Sequence, residues 1–89
     1  MYIHLGENVV VPLDEIITIL DGQLYHSSII VQEFIESQRK TKEIVEISNN
    51  SMKTVIVTLH QIYFSPLASV TLKRRATQMF DAGPLIQDI

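Results

Sequence analysis

Short runs of β-branched and apolar residues alternate along this chain with two segments of helical periodicity. Strand-like runs lie at residues 2–5, 9–11, 16–20, 43–47, 54–58 and 62–65. Turn-forming residues bound most of them, and Pro12 makes the second run an edge segment or a bend. Strands grouped around helices predict an α+β domain, with a small, mainly antiparallel sheet of about five strands and two helices.

The first helix is expected to begin at Ser27 or Ser28, because a serine hydroxyl can accept from an unpaired N–H of the first turn. An apolar stripe at helical spacing predicts its buried face and consists of Ile30, Val31, Phe34 and Ile35. The helix is expected to run to about Thr41. Before it, Asp21 and Gly22 are typical of a tight turn that closes a strand.

The last helix is expected to begin near Ser69 or Thr71 and to end at residues 81–84. Its apolar face has the i, i+4, i+7, i+8 spacing and comprises Leu72, Ala76, Met79 and Phe80. Residues 59–61 suit a tight hairpin between two strands. Adjacent Tyr63 and Phe64 point to opposite faces of one strand, so one of them is expected to face away from the core.

The chain has 89 residues and no cysteine, which limits how it can be stabilised. We expect one domain over residues 1–80 and a loose tail over 81–89. So short a chain buries a modest core, and self-association would add buried area. The absence of a basic leader or a long apolar run predicts a cytoplasmic protein with no membrane segment.

Charge is strongly segregated along the sequence. Residues 1–38 contain six acids and no Lys or Arg, whereas residues 39–89 contain seven bases and four acids. The net charge is −3, which argues against indiscriminate nucleic-acid binding. A polarised protein can still present one basic face, although short chains also segregate charge by chance.

No pattern typical of catalysis is present. The histidines at positions 4, 26 and 60 have no metal-ligand spacing, and the three glycines stand alone, so no phosphate-binding loop is formed. Asp14 and Glu15 are adjacent carboxylates in a short segment, unlike a catalytic pair in a cleft. We therefore expect a protein that is not an enzyme and has no metal, cofactor or small-molecule substrate.

Lys73, Arg74 and Arg75 in the last helix give the strongest functional signal. At 100° per residue, Arg74 lies almost opposite the apolar face, and the other two flank it. Such an arc can meet phosphates and base edges. The same residues could instead lay their stems over the core edge or pair with acids of a neighbouring subunit. Lys53, beside an Asn-rich turn, is a further candidate for a phosphate contact.

The chain also resembles a known family. Four segments carry the likeness, in order and spacing over about residues 1–80: MYIHLG (1–6), IITIL (16–20), IYFSPL (62–67) and TLKRRA (71–76). They are similar to the RemB branch of the RemA/RemB family of bacterial extracellular-matrix regulators. The segment VPLDEI (11–16) resembles the opening of the LytTR DNA-binding domain, so the resemblance implies a LytTR-like fold.

The resemblance implies a regulator of biofilm-matrix genes in spore-forming, Gram-positive bacteria. The RemA branch is associated with double-stranded DNA binding through ring-shaped homo-oligomers. DNA contacts are therefore expected at Lys53, Lys73, Arg74 and Arg75. One departure favours an alternative: adjacent arginines of the RemA branch, in the loop before the fourth strand, are matched here by residues 49–53, where only Lys53 is charged. The alternative is an interaction module that forms rings or sheets, works with another regulator and binds no DNA.

Overall fold

Nine helices and strands make up the computed structural model, which describes residues 1–49 and 51–81, with side chains to residue 78. In chain order they are β1 Tyr2–Gly6, β2 Val9–Pro12, β3 Ile16–Asp21, α1 Gly22–Ser27, α2 Ile29–Arg39, β4 Glu43–Glu46, β5 Thr54–Thr58, β6 Gln61–Ser65 and α3 Ser69–Asp81. A 3-10 turn, Leu13–Glu15, joins β2 to β3. The α+β class is confirmed. The predicted inward positions of Met79 and Phe80, the helix end and the tail lie outside the described side chains.

The strands form two sheets, not the single sheet of about five strands that was expected. β1 and β2 make an antiparallel hairpin, and the other strands form a sheet in the order β3-β5-β6-β4. In that sheet β5 pairs antiparallel with both β3 and β6, while β4 runs parallel to β6. The prediction of one sheet of about five strands was wrong, because the first two strands pair with each other in a separate layer and leave four strands in the larger sheet.

Both faces of the four-stranded sheet are covered. One face packs against the hairpin and α3, in a cluster centred on Ile3, Leu5, Val11, Ile56 and Leu72. The other packs against α1 and α2, in a cluster centred on Ile35, Val55, Val57 and Ile62. Every residue of β5 is buried, as expected for a strand with both faces covered.

Tyr63 and Phe64 show the consequence of this layering. Tyr63 packs against the cluster under the hairpin, and Phe64 packs against the cluster under α2. The two side chains do point to opposite faces, as their alternation predicts. The expectation that one faces away from the core was wrong, because two layers of structure cover the sheet.

A helix begins where a tight turn was expected. Asp21 caps α1 by accepting a hydrogen bond from the backbone N–H of Gln23 at 2.9 Å. The backbone N–H of Gly22 donates to the carbonyl of Lys53 at 2.8 Å. A Cβ at position 22 would lie 2.8 Å from the sulfur of Met52, so Gly22 allows close packing against the loop. The count of two helices was therefore wrong, since residues 1–49 and 51–81 contain three.

The capping prediction for the next helix is confirmed at Ser28, whose hydroxyl accepts from the N–H of Val31 at 3.3 Å. Ile35 is buried and Val31 and Phe34 pack beside it. Ile30 was expected on the same stripe but is 80% exposed. Its placement was wrong because five residues at 100° each put Ile30 about 140° from Ile35 around the helix.

Ser65 joins the hairpin to the large sheet. Its buried hydroxyl donates to the carbonyl of Leu5 in β1 and accepts from the N–H of Leu67 at 3.0 Å. The Ser65 carbonyl accepts from the N–H of Lys53 at 2.8 Å. The end of β6, the start of β5 and the segment leading to α3 are thus held together.

Candidate nucleic-acid interface

Lys53 has a fixed backbone and an exposed side chain. It directly precedes β5, and its N–H and carbonyl are both engaged, with Ser65 and Gly22 respectively, at 2.8 Å. These hydrogen bonds to β6 and α1 therefore fix the position of the Lys53 backbone, from which the exposed side chain extends into solvent. An exposed ammonium on a rigid base can contact a phosphate with little loss of backbone entropy.

The inward face of α3 decides which of its cations are free to face solvent. Leu72 is fully buried, and Ala76 packs against the same cluster. Lys73 and Arg74 are exposed. The predicted orientation of Arg74, 200° around the helix from Leu72, is confirmed because Arg74 is exposed while Leu72 is buried.

Arg75 has a different role from its two neighbours. Its guanidinium donates to the backbone carbonyl of His4 in β1 at 3.2 Å, and the side chain is half-buried. This contact ties the outer flank of α3 to the hairpin. Among the contacts that the described residues make with one another, Arg75 is the one of the four predicted site residues whose charged group is held by the fold.

Lys53 lies beside the first turn of α3. It lines a cleft of about 450 Å³ together with Ser69 and Val70. Lys73 and Arg74 follow these two residues by four positions, one turn further along the same helix face. The structure therefore brings Lys53, Lys73 and Arg74 to one side of the domain, whereas Arg75 lies on the opposite flank of the helix.

The same cleft contains an acid that the sequence patterns assigned to a turn and not to the candidate site. Asp21 lines it, and one of its carboxylate oxygens accepts from the hydroxyl of Ser69 at 3.1 Å. Asp21 thus caps α1 and connects it to the start of α3. The available sequence signal was the Asp itself, because an Asp at the N-cap accepts a hydrogen bond from a backbone N–H in the first turn of a helix. The negative charge of Asp21 offsets part of the positive potential near Lys53.

The basic residues of α2 are engaged locally. Arg39 forms an exposed ion pair with Glu36 at 3.1 Å. Lys42, just beyond the helix, donates to the side-chain oxygen of Gln38. These contacts lie on the face of the sheet opposite α3. Arg39 and Lys42 are therefore on a different side of the domain from the cations of α3.

The titratable groups form no reactive cluster in the described part of the chain. His4 makes a 2.6 Å contact from Nε2 to the carbonyl of Glu7. Burial and the Glu15 carboxylate raise the pKa of Tyr63, whose hydroxyl donates to the Gln61 side chain at 2.6 Å. Residues 1–49 and 51–81 hold no group of three or more His, Asp or Glu able to hold a metal ion.

Within residues 1–49 and 51–81, each helix is too short or too polar for a membrane crossing.

The fold and the exposed cations define a small α+β domain that presents a basic surface at one helix and the loop beside it. The chain belongs to the RemA-like family, described as extracellular matrix regulatory protein A-like, whose profile matches residues 2–76. It is 43% identical over 81 residues to extracellular matrix regulatory protein B of Bacillus subtilis (strain 168), covering 91% of this chain and 96% of that protein.

Proposed function

We propose that this protein is a DNA-binding transcriptional regulator of extracellular-matrix genes that acts as a homo-oligomer in the cytoplasm. The observation that supports it best is the exposure of Lys53, Lys73 and Arg74 on one side of the domain. The relative's name, extracellular matrix regulatory protein B, supports the regulatory role. The expected LytTR-like fold remains a prediction that agrees with it.

The proposed contacts are mainly to phosphates. Lys53 and Lys73 would act as point charges, while the planar guanidinium of Arg74 can form two parallel hydrogen bonds to one phosphate. Three cations per subunit give a modest affinity that falls steeply with salt, because binding releases counterions. An oligomer would repeat the patch and add avidity. Sequence preference would then come largely from the path and bending of the DNA.

A second candidate function rests on a different observation. Arg75 is bound to the hairpin and Asp21 lies in the cleft beside Lys53, so the basic surface is smaller than the sequence suggested. Residues 49–53 also contain a single cation. Under this alternative the protein is an interaction module that forms rings or sheets, works with another regulator and binds no DNA, and α3 contacts acids of a neighbouring subunit.

A pair of variants with equal net charge tests the DNA proposal. Arg74→Ala removes an exposed cation of α3, and Arg39→Ala removes one from α2 on the other side of the sheet. Both are titrated by fluorescence anisotropy against a labelled AT-rich promoter duplex at low and near-physiological salt. We expect Arg74→Ala to weaken binding to all sequences about equally and to lower the salt slope by about 1 per lost contact.

Arg39→Ala is expected to bind like the unmodified protein, because its charge lies away from the proposed surface. Equal weakening by both variants would show that only total charge matters and would contradict a defined interface. No binding at low salt by folded, oligomeric protein would reject direct DNA contact and favour the interaction module.

A further inference from the structure

The outer face of the β1–β2 hairpin has three apolar side chains where an ordinary surface hairpin would be mainly polar. Tyr2 is 63% exposed and Val10 is 55% exposed. Strand register places Tyr2 opposite Pro12 and His4 opposite Val10, so these four side chains share the outward face, while Ile3 and Val11 point inward. We refer to Tyr2, Val10 and Pro12 as the hairpin patch.

A second apolar surface lies at the junction of α1 and α2. Leu24 is 42% exposed, Ile29 is 71% exposed and Ile30 is 80% exposed. The backbone N–H of Ser28 donates to the carbonyl of Leu24 at 2.9 Å, which holds the end of α1 against the first turn of α2. We refer to Leu24, Ile29 and Ile30 as the helical patch.

The two patches lie on opposite sides of the domain. The inward residues of the hairpin pack with Ile56, and α2 packs with Val55. Val55 and Ile56 are successive residues of β5 and therefore point to opposite faces of the sheet. The hairpin patch and the helical patch thus form the outer surfaces of the two layers that enclose the sheet.

We propose that the hairpin patch of one subunit docks against the helical patch of a second copy of this chain, in a head-to-tail interface. This rests on the self-association in the proposed function and assigns its surfaces. Two different patches on opposite sides cannot both be covered by one partner through a single interface. A head-to-tail contact covers one patch on each of two neighbours and repeats around a closed assembly.

Charge complementarity supports the pairing of these particular surfaces. Glu33 is exposed and follows Ile29 by four residues and Ile30 by three, so it lies on the same side of α2. Arg75 brings its guanidinium to within 3.2 Å of the His4 carbonyl, beside the hairpin patch. The helical patch therefore has an acidic side chain at its edge, and the hairpin patch has the guanidinium of Arg75, which keeps further N–H donors besides the one bound to the His4 carbonyl. The proposed DNA contacts at Lys53, Lys73 and Arg74 are not used by this interface.

Two surface variants and their mixture test the proposal. Val10→Glu places a charge in the hairpin patch, and Ile30→Glu places one in the helical patch. Leu59→Glu is the matched control, since Leu59 is 54% exposed but belongs to neither patch. Each protein, and an equimolar mixture of the first two, is measured by light scattering after size exclusion and by native mass spectrometry.

We expect the full chain to form oligomers and Leu59→Glu to have the same subunit number. Val10→Glu and Ile30→Glu alone are expected near the monomer mass of 10.1 kDa. Their mixture is expected to give a dimer, because each variant supplies the intact patch that the other lacks. Circular dichroism checks folding, and Ile30→Glu is compatible with α2 because a carboxylate in the first turn of a helix is favourable.

Retention of the full subunit number by either patch variant would overturn the proposal, as would a mixture that stays monomeric. Dissociation of Leu59→Glu would also overturn it, since loss of assembly would then not be specific to the patches. If the unmodified chain were monomeric, the homo-oligomer of the proposed function would fail too. DNA binding is judged separately by the anisotropy of Arg74→Ala and Arg39→Ala.

Discussion

Replacement of Ser65 by alanine tests how the hairpin is held on the sheet. The buried hydroxyl donates to the carbonyl of Leu5 and accepts from the N–H of Leu67. Without it, one buried acceptor and one partly buried donor lose this partner, and each unsatisfied buried group costs about 1–3 kcal/mol. Because Leu67 is half-buried and water can reach part of its backbone, we expect a total loss of about 2–3 kcal/mol.

The loss is measured by urea unfolding at one protein concentration, followed by circular dichroism. With an m value of about 1 kcal/mol/M, the midpoint should fall by about 2–3 M. Ser69→Ala is the matched control, since its hydroxyl makes one exposed bond to Asp21 and its removal should change stability by less than about 1 kcal/mol. A Ser65→Ala midpoint no lower than that of Ser69→Ala would refute the assigned role of the Ser65 hydroxyl.

Three further outcomes are expected. Arg75→Ala should lower the free energy of unfolding by about 1 kcal/mol, because the hydrogen bond to the His4 carbonyl is lost. It should weaken DNA binding less than Arg74→Ala does. Stronger weakening by Arg75→Ala in the anisotropy titration would contradict the structural role assigned to Arg75. Asp21→Ala removes the cap of α1 and should lower the urea midpoint by an amount equivalent to about 1 kcal/mol. The pKa of Tyr63 is raised from 10.0, so the folded state binds this proton more tightly than the unfolded state. The stabilisation from this proton is complete below pH 10 and is lost as pH rises through the pKa of Tyr63 in the folded state. Tyr63→Phe lacks the titrating hydroxyl, so its urea midpoint should fall less steeply than that of the unmodified protein as pH rises above 10.

The elements that local patterns specify were predicted correctly. Six strand-like runs correspond to the six strands, and the Ser28 cap and the inward position of Leu72 are confirmed. These features depend on residues a few positions apart, and periodicity and capping act at that range. α1 was missed because Asp21 and Gly22 suit both a turn and a helix start, and contact with Met52 and Lys53 selects the helix.

The candidate site, too, was predictable from the sequence only in part. Helical spacing alone predicted that Arg74 faces outward, opposite Leu72. It could not show that Lys53 lies beside Ser69 and Val70 in the first turn of α3, since all of β5 and β6 separates Lys53 from that turn in the sequence. Nor could it show that Arg75 binds the carbonyl of His4, 71 residues away.

By itself, then, the sequence determined the six strand-like runs, the positions of α2 and α3, most of their inward faces, the segregation of charge and the family. Only the tertiary structure decided that the first two strands form a separate layer and that both faces of the sheet are covered. Pairing partners and layer order depend on contacts between distant segments, and a one-dimensional pattern of apolar residues is compatible with several such arrangements. For the same reason, only the tertiary structure showed that Arg75 makes a structural contact while Lys53, Lys73 and Arg74 remain on the surface.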